Sequence, residues 1–127
     1  MTDSKVFIDS SVWLAYFLAS SEKSRDYIDS PENTLYTSVI TLHEVANKLH
    51  SLRYSPQQTG KVLKFIRENS ILVQVDEPIA LLSVQHTTNK RLHTVDALIY
   101  ESARQNGCTL ITADYDFKGL ENTLIIQ

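Results

Sequence analysis

Apolar and polar positions follow one another along this chain in short blocks, and their spacing changes from block to block. Lys5 to Ile8 is a short apolar run ending at Asp9, and Ser11 to Leu18 follows as a helix with Trp13, Leu14, Phe17 and Leu18 inward. A polar stretch from Ser20 to Asn33 holds a short helix around Ser24 to Ile28 and closes at Pro31. Leu35 to Thr37 reads as a brief strand. In the helix after it, from Val39 to Arg53, Leu42, Val45, Ala46, Leu49 and Leu52 recur at three- and four-residue spacings, the mark of one buried face. Ser55-Pro56-Gln57-Gln58 opens another helix with a capping box and a proline at the first helical position, and that helix runs to about Glu68. Ile71 to Val75 is a nearly continuous apolar strand of the kind buried on both faces. Glu77-Pro78 starts a helix that reaches about Thr88. Thr94 to Asn106 is a helix with Val95, Leu98, Ile99, Ser102 and Ala103 inward and Gly107 as its stop. Thr109 to Ile111 and Asn122 to Ile126 are the last strands.

Strands alternating with helices predict an α/β fold: a mostly parallel central sheet of four to five strands flanked by helices on both faces. In such a sheet every strand presents its C-terminal end on the same side, and ligands bind in the crevice there. The residues just after the strands are therefore the candidates for chemistry.

Composition narrows the class. With 127 residues the chain is expected to form a single domain over 1–127 with one adequate core. The lone cysteine, Cys108, excludes an intrachain disulfide or a zinc ribbon and suits a reducing cytoplasm, the expected location. The apolar run Val12 to Ala19 is too short to cross a bilayer, and Asp3 and Asp9 around the first apolar run leave no secretory signal, so no membrane partner is expected. A net charge of -3 argues against a general polyanion binder and leaves Lys48, Arg53, Lys61 to Arg67, and Lys90-Arg91 as local basic patches. These are as readily solvated helix faces as nucleic-acid contacts. The four histidines show no ligand spacing and are read as structural or surface residues.

Four acids stand out by position. Asp9 follows the first strand directly, and Asp114 follows Thr109 to Ile111 closely. Glu44 lies near the start of the Val39 to Arg53 helix and Asp96 in the first turn of the Thr94 to Asn106 helix. Each has an ordinary explanation: a helix N-cap for Asp9, the helix dipole for Asp96, a surface pair with Lys48 for Glu44, turn formation for Asp114 and Asp116. If both helices begin at the strand-end edge, however, all four face one crevice. Two carboxylates about 4 Å apart repel by roughly 4 kcal/mol at an effective dielectric near 20. Protons or a cation must then enter, and an all-oxygen ligand set selects a hard ion such as magnesium or manganese. That layout suits metal-assisted hydrolysis of a phosphodiester.

The segments Val6-Phe7-Ile8-Asp9-Ser10-Ser11-Val12, Leu42-His43-Glu44-Val45, His93 to Ile99 and Leu110 to Phe117 resemble the successive motifs of PIN-domain ribonucleases, most closely the VapC-type toxins of toxin-antitoxin pairs. The resemblance spans essentially the whole chain and implies a PIN-like fold. It also implies that Asp9, Glu44, Asp96 and Asp114 fall on the family's acidic catalytic and metal positions, with Asp116 an accessory acid and Ser11 and Thr112 supporting hydroxyls. The implied activity is RNA cleavage with magnesium or manganese, held in check by a cognate antitoxin whose C-terminal segment lies across the site. Trp13, Tyr16, Phe17 and Tyr27 are read as core or partner-groove residues: some of these rings are expected in the core and the rest in a groove that receives such an amphipathic segment, and a homodimer is expected as well. Two other readings compete: a receiver-type phosphoacceptor module, and a PIN-like scaffold without activity.

Overall fold

The computed structural model describes residues 4–127, so Asp3, used above against a secretory signal, lies outside the described residues. Ser4–Ile8 forms β1, Asn33–Ser38 β2, Ile71–Val73 β3, Thr109–Thr112 β4 and Thr123–Ile125 β5. All pairings are parallel, and the five strands lie in the order β3-β2-β1-β4-β5. A receiver-type sheet has the order 2-1-3-4-5, so that reading is excluded. Among the described residues seven α-helices connect the strands: α1 (Ser10–Leu18), α2 (Glu22–Ile28), α3 (Val39–Ser51), α4 (Pro56–Asn69), α5 (Glu77–Leu82), α6 (Val84–Asn89) and α7 (Thr94–Gln105).

Both faces of the sheet are buried, as a parallel sheet requires. Alternation along β1 sends Phe7 into one core, with Leu110, Ile79, Ile99, Tyr100 and Phe117. Val6 and Ile8 enter the other, with Val12, Trp13, Val45, Leu49, Ile66 and Ile111. Local signals set the helix ends. Ser55 and Gln58 form the reciprocal capping box at the start of α4. Beyond α7, Gly107 takes the left-handed conformation (φ 65°) that lets the chain turn into β4.

Several expectations are corrected. Ile71 to Val75 is not a strand buried on both faces: β3 spans only Ile71–Val73, sits at the sheet edge and leaves Ile71 50% exposed. The helix expected from Glu77 to Thr88 is two short helices jointed at Ser83, whose hydroxyl donates to the Ala80 carbonyl at 2.9 Å. Leu18, Leu52 and Val95, assigned inward, are exposed: all three sit at helix ends, Leu18 as the last residue of α1, Leu52 as the C-cap of α3 and Val95 as the second residue of α7. Of the four aromatic rings, Trp13 is the core one, in line with its inward assignment: it is fully buried, and its indole N–H donates to Thr37 Oγ1 at 3.2 Å.

Candidate functional site

The strand order reverses between β1 and β4, so their C-terminal ends flank the crevice where α/β sheets place ligands. Asp9 and Thr112 leave those two strands side by side, and the Asp9 amide donates to the Ile111 carbonyl at 3.0 Å. α3 begins directly at the end of β2, and α7 runs back toward the start of β4, so both helices have their N-termini at this edge. Asp9, Glu44, Asp96 and Asp114 are thereby brought to one place.

Asp9 occupies the N-cap position of α1 but makes no side-chain cap bond. Instead its Oδ2 accepts from Ser11 Oγ and from Thr112 Oγ1, both at 2.8 Å. Ser11 Oγ in turn accepts from the Ala113 amide at 2.9 Å, and Thr112 Oγ1 from the Asp114 amide at 3.0 Å. The two hydroxyls therefore lock Asp9 to the loop after β4. That loop contains a short 3-10 turn, Tyr115–Phe117, capped by Asp114, whose Oδ1 accepts from the Asp116 amide at 2.9 Å. Turn formation by Asp114 is thus real and coexists with its place at the site. Asp96, Asp114 and Asp116 each present a carboxylate oxygen, and the three atoms lie within 4.8 Å of one another.

The surface pair suggested for Glu44 does not form. Among the described residues no salt bridge reaches Glu44 or the other four acids, and Glu44 Oε1 is buried without a hydrogen-bond partner. Burial is the main force pushing the Asp9 carboxyl above its usual range; its hydroxyl partners and the Ser10 amide oppose this, and the Asp114 charge adds to it. Glu44 is raised by burial and by the charges of Asp9 and Asp96, against a lowering from the Ser10 hydroxyl. Asp96 is pushed up to about 6 by burial and by Asp9, Asp114 and Asp116, with His93 pulling the other way. Burial and like charges thus disfavour the ionised carboxylates in this partly dry crevice, a cost that a cation would offset.

The histidine reading holds for His86, which is fully buried. Sequence reasoning missed its partner: Glu101 is also buried and meets His86 Nε2 at 2.7 Å. Phe65 was missed too; it brings an α4 ring against Tyr16 and Phe17. A groove of about 820 Å³ between α3 and α4, lined in part by His50, Arg53, Tyr54 and Leu63, touches none of the acids.

The family model described as PIN domain matches residues 6–122. Among solved structures, a toxin-antitoxin complex from Klebsiella pneumoniae is 21% identical, with a TM-score of 0.78 and coverage of 94% of this chain and 95% of that one. The DNA-bound VapBC of Salmonella typhimurium is 17% identical, with a TM-score of 0.74 and 97% coverage of both chains. VapC20 of Mycobacterium tuberculosis, a toxin described as cleaving the sarcin-ricin loop, is 18% identical at a TM-score of 0.69, over 91% of each chain. At these identities the likeness is one of fold. No curated protein matches the chain in sequence.

Proposed function

This chain belongs to the PIN domain family, and from that premise we propose that it is a magnesium- or manganese-dependent endoribonuclease acting in the cytoplasm as the toxin of a toxin-antitoxin pair. The observation that carries the reading is the convergence of five acids from four places in the fold with, among the described residues, no cationic side chain bonded to any of them. The donor set fits a hard divalent ion. All ligand atoms are carboxylate oxygens, and the buried Glu44 Oε1 has no other partner. Asp96, Asp114 and Asp116 would hold the ion, with Asp9 and Glu44 completing the anionic wall.

A bound ion would neutralise the cluster and stabilise charge on the phosphoryl and leaving oxygens. The chain's own residues do the rest. Ser11 and Thr112 fix the Asp9 carboxylate in one orientation. Asp96, whose ionised form is disfavoured by burial and by the neighbouring carboxylates, is the acid whose charge a cation would relieve most directly. The half-buried Tyr16, Phe17 and Phe65 rings, toward the ends of α1 and α4, support docking of an amphipathic antitoxin segment there. Leu81, Leu82 and Val84, between 50% and 66% exposed, are the surface that a second copy would bury.

Purified protein is expected to cut single-stranded RNA with magnesium or manganese and to stop in excess chelator. Asp9→Asn and Asp96→Asn are each expected to lower cleavage by orders of magnitude, because an amide keeps the shape but is a poor ligand for a hard cation. Cleavage that survives exhaustive chelation overturns the metal assignment. A stable, inhibitory complex with the product of an adjacent short reading frame tests the toxin role.

A further inference from the structure

A ribonuclease must hold a polyanion, yet this chain has 12 basic against 15 acidic side chains and lines its crevice with carboxylates. We propose that the loop joining α6 to α7, residues Lys90 to His93, is the RNA-phosphate contact of the site, with Arg91 and His93 the contacting side chains. This rests on the ribonuclease reading above and says where that substrate is held.

The loop is pinned at its middle. Leu92 is buried, and the amides of Lys90 and Leu92 both donate to the His86 carbonyl, at 3.2 and 3.1 Å. Arg91 and His93 flank this anchor and are both exposed. Lys90 is partly engaged, with its Nζ 5.9 Å from the Tyr100 ring centre. Among the described residues the Arg91 guanidinium has no hydrogen bond or salt bridge within the chain.

Neither outward side chain is explained by stability. Arg91 sits at φ 58°, a left-handed conformation that suits glycine and is strained for a residue with a Cβ. His93 is the N-cap of α7 but makes no side-chain cap bond, where Ser, Thr, Asp or Asn would supply one. A protonated imidazole there also opposes the helix dipole. Its position does matter to the acids: of the groups acting on Asp9, Glu44 and Asp96, His93 is the one that brings positive charge. It precedes Asp96 by one helical turn, and Arg91 can lie no more than about 7 Å further along the chain. Arg67, by contrast, lies near the end of α4 beside the start of β3, at the opposite edge of the sheet.

The test uses the full chain with magnesium or manganese and a single-stranded RNA oligonucleotide. Arg91→Gly removes the cation and the strain together, and His93→Asn installs a better N-cap. Both variants are expected to melt at or above the wild-type temperature and yet to raise KM by about tenfold, the loss of one charge-assisted hydrogen bond, with kcat little changed. Arg91→Gly should also flatten the plot of log kcat/KM against log salt by about 0.7, one phosphate contact to a single strand. Arg91→Lys should keep that slope. Lys61→Ala with Arg67→Ala, both on α4, should leave KM and slope unchanged. Loop variants with wild-type KM and salt slope, or a control that loses as much as they do, overturn the inference. A wild type that cuts no RNA with any divalent metal overturns the ribonuclease reading and this inference with it, whereas cleavage indifferent to the loop overturns this inference alone.

Discussion

Thr112 is where one hydroxyl serves two carboxylate positions at once. It donates to Asp9 Oδ2 at 2.8 Å and accepts from the Asp114 amide at 3.0 Å, and it is fully buried. Thr112→Val keeps the shape but deletes both bonds and leaves that amide without a partner. The expected cost is about 1–3 kcal/mol in denaturant melts. Cleavage should fall by about tenfold or more, since the Asp9 carboxylate loses its support; Thr112→Ser should restore most of both. Asp96 contributes to the pH dependence of the metal-free protein, together with Asp9 and Glu44, which are shifted in the same direction. Its carboxyl titrates at about 6 in the folded chain, well above an ordinary aspartate. Folded protein therefore binds this proton more tightly than unfolded protein does. The stability conferred by protonated Asp96 is intact below about pH 4 and is lost as pH rises through about 6. Asp96→Asn should flatten that decline and raise the melting temperature at neutral pH in chelator; a variant melting below wild type there would mean that the acids do not repel one another.

At the scale of elements, α7 supplies Asp96 and is held from behind by α6. His86 Nε2 meets Glu101 Oε1 at 2.7 Å, and the same carboxylate accepts from Arg104 and Gln105 one turn on. Glu101→Ala strands a fully buried imidazole, and the expected loss is about 3–5 kcal/mol in chemical denaturation. Glu101→Gln, which can still bond to the ring, should lose less. Neither residue announces this in the sequence. Glu101 sits among polar neighbours on an amphipathic helix, and only the packing of α6 over that face buries it. The same holds for β3: an apolar run looks alike in the centre of a sheet and at its edge, so Ile71 read as buried although it is half exposed.

For the whole molecule, the acids come from the ends of β1 and β4 and the starts of α3 and α7. A cation bound among them would tie together elements far apart in the chain, and it would bind the folded state alone. Millimolar magnesium or manganese should therefore stabilise wild type in a concentration-dependent way, by about 2.7 kcal/mol at one hundred times the dissociation constant, and raise its melting temperature accordingly. Asp96→Asn should gain less, and a wild type with no shift would count against a cation site.

The sequence by itself determined the succession of strands and helices, the capping box at Ser55, and an acid placed directly after the first strand and close after a later one. These rest on local rules: periodicity, caps and turn chemistry act within a few residues, so they can be read along the chain. That parallel strands send their C-terminal ends to one side also made the meeting of Asp9, Glu44, Asp96 and Asp114 legible before any coordinates. Tertiary structure alone decided that the two hydroxyls of Ser11 and Thr112 share Asp9 Oδ2, that the carboxylates of Asp96, Asp114 and Asp116 come within 4.8 Å of one another, and that Phe65 takes a place among the half-buried rings. It also decided that His93 stands beside the acids. Each of these depends on pairing across as many as a hundred residues of chain. The register and order of a parallel sheet come from the joint packing of all its layers, which no local stretch of sequence contains.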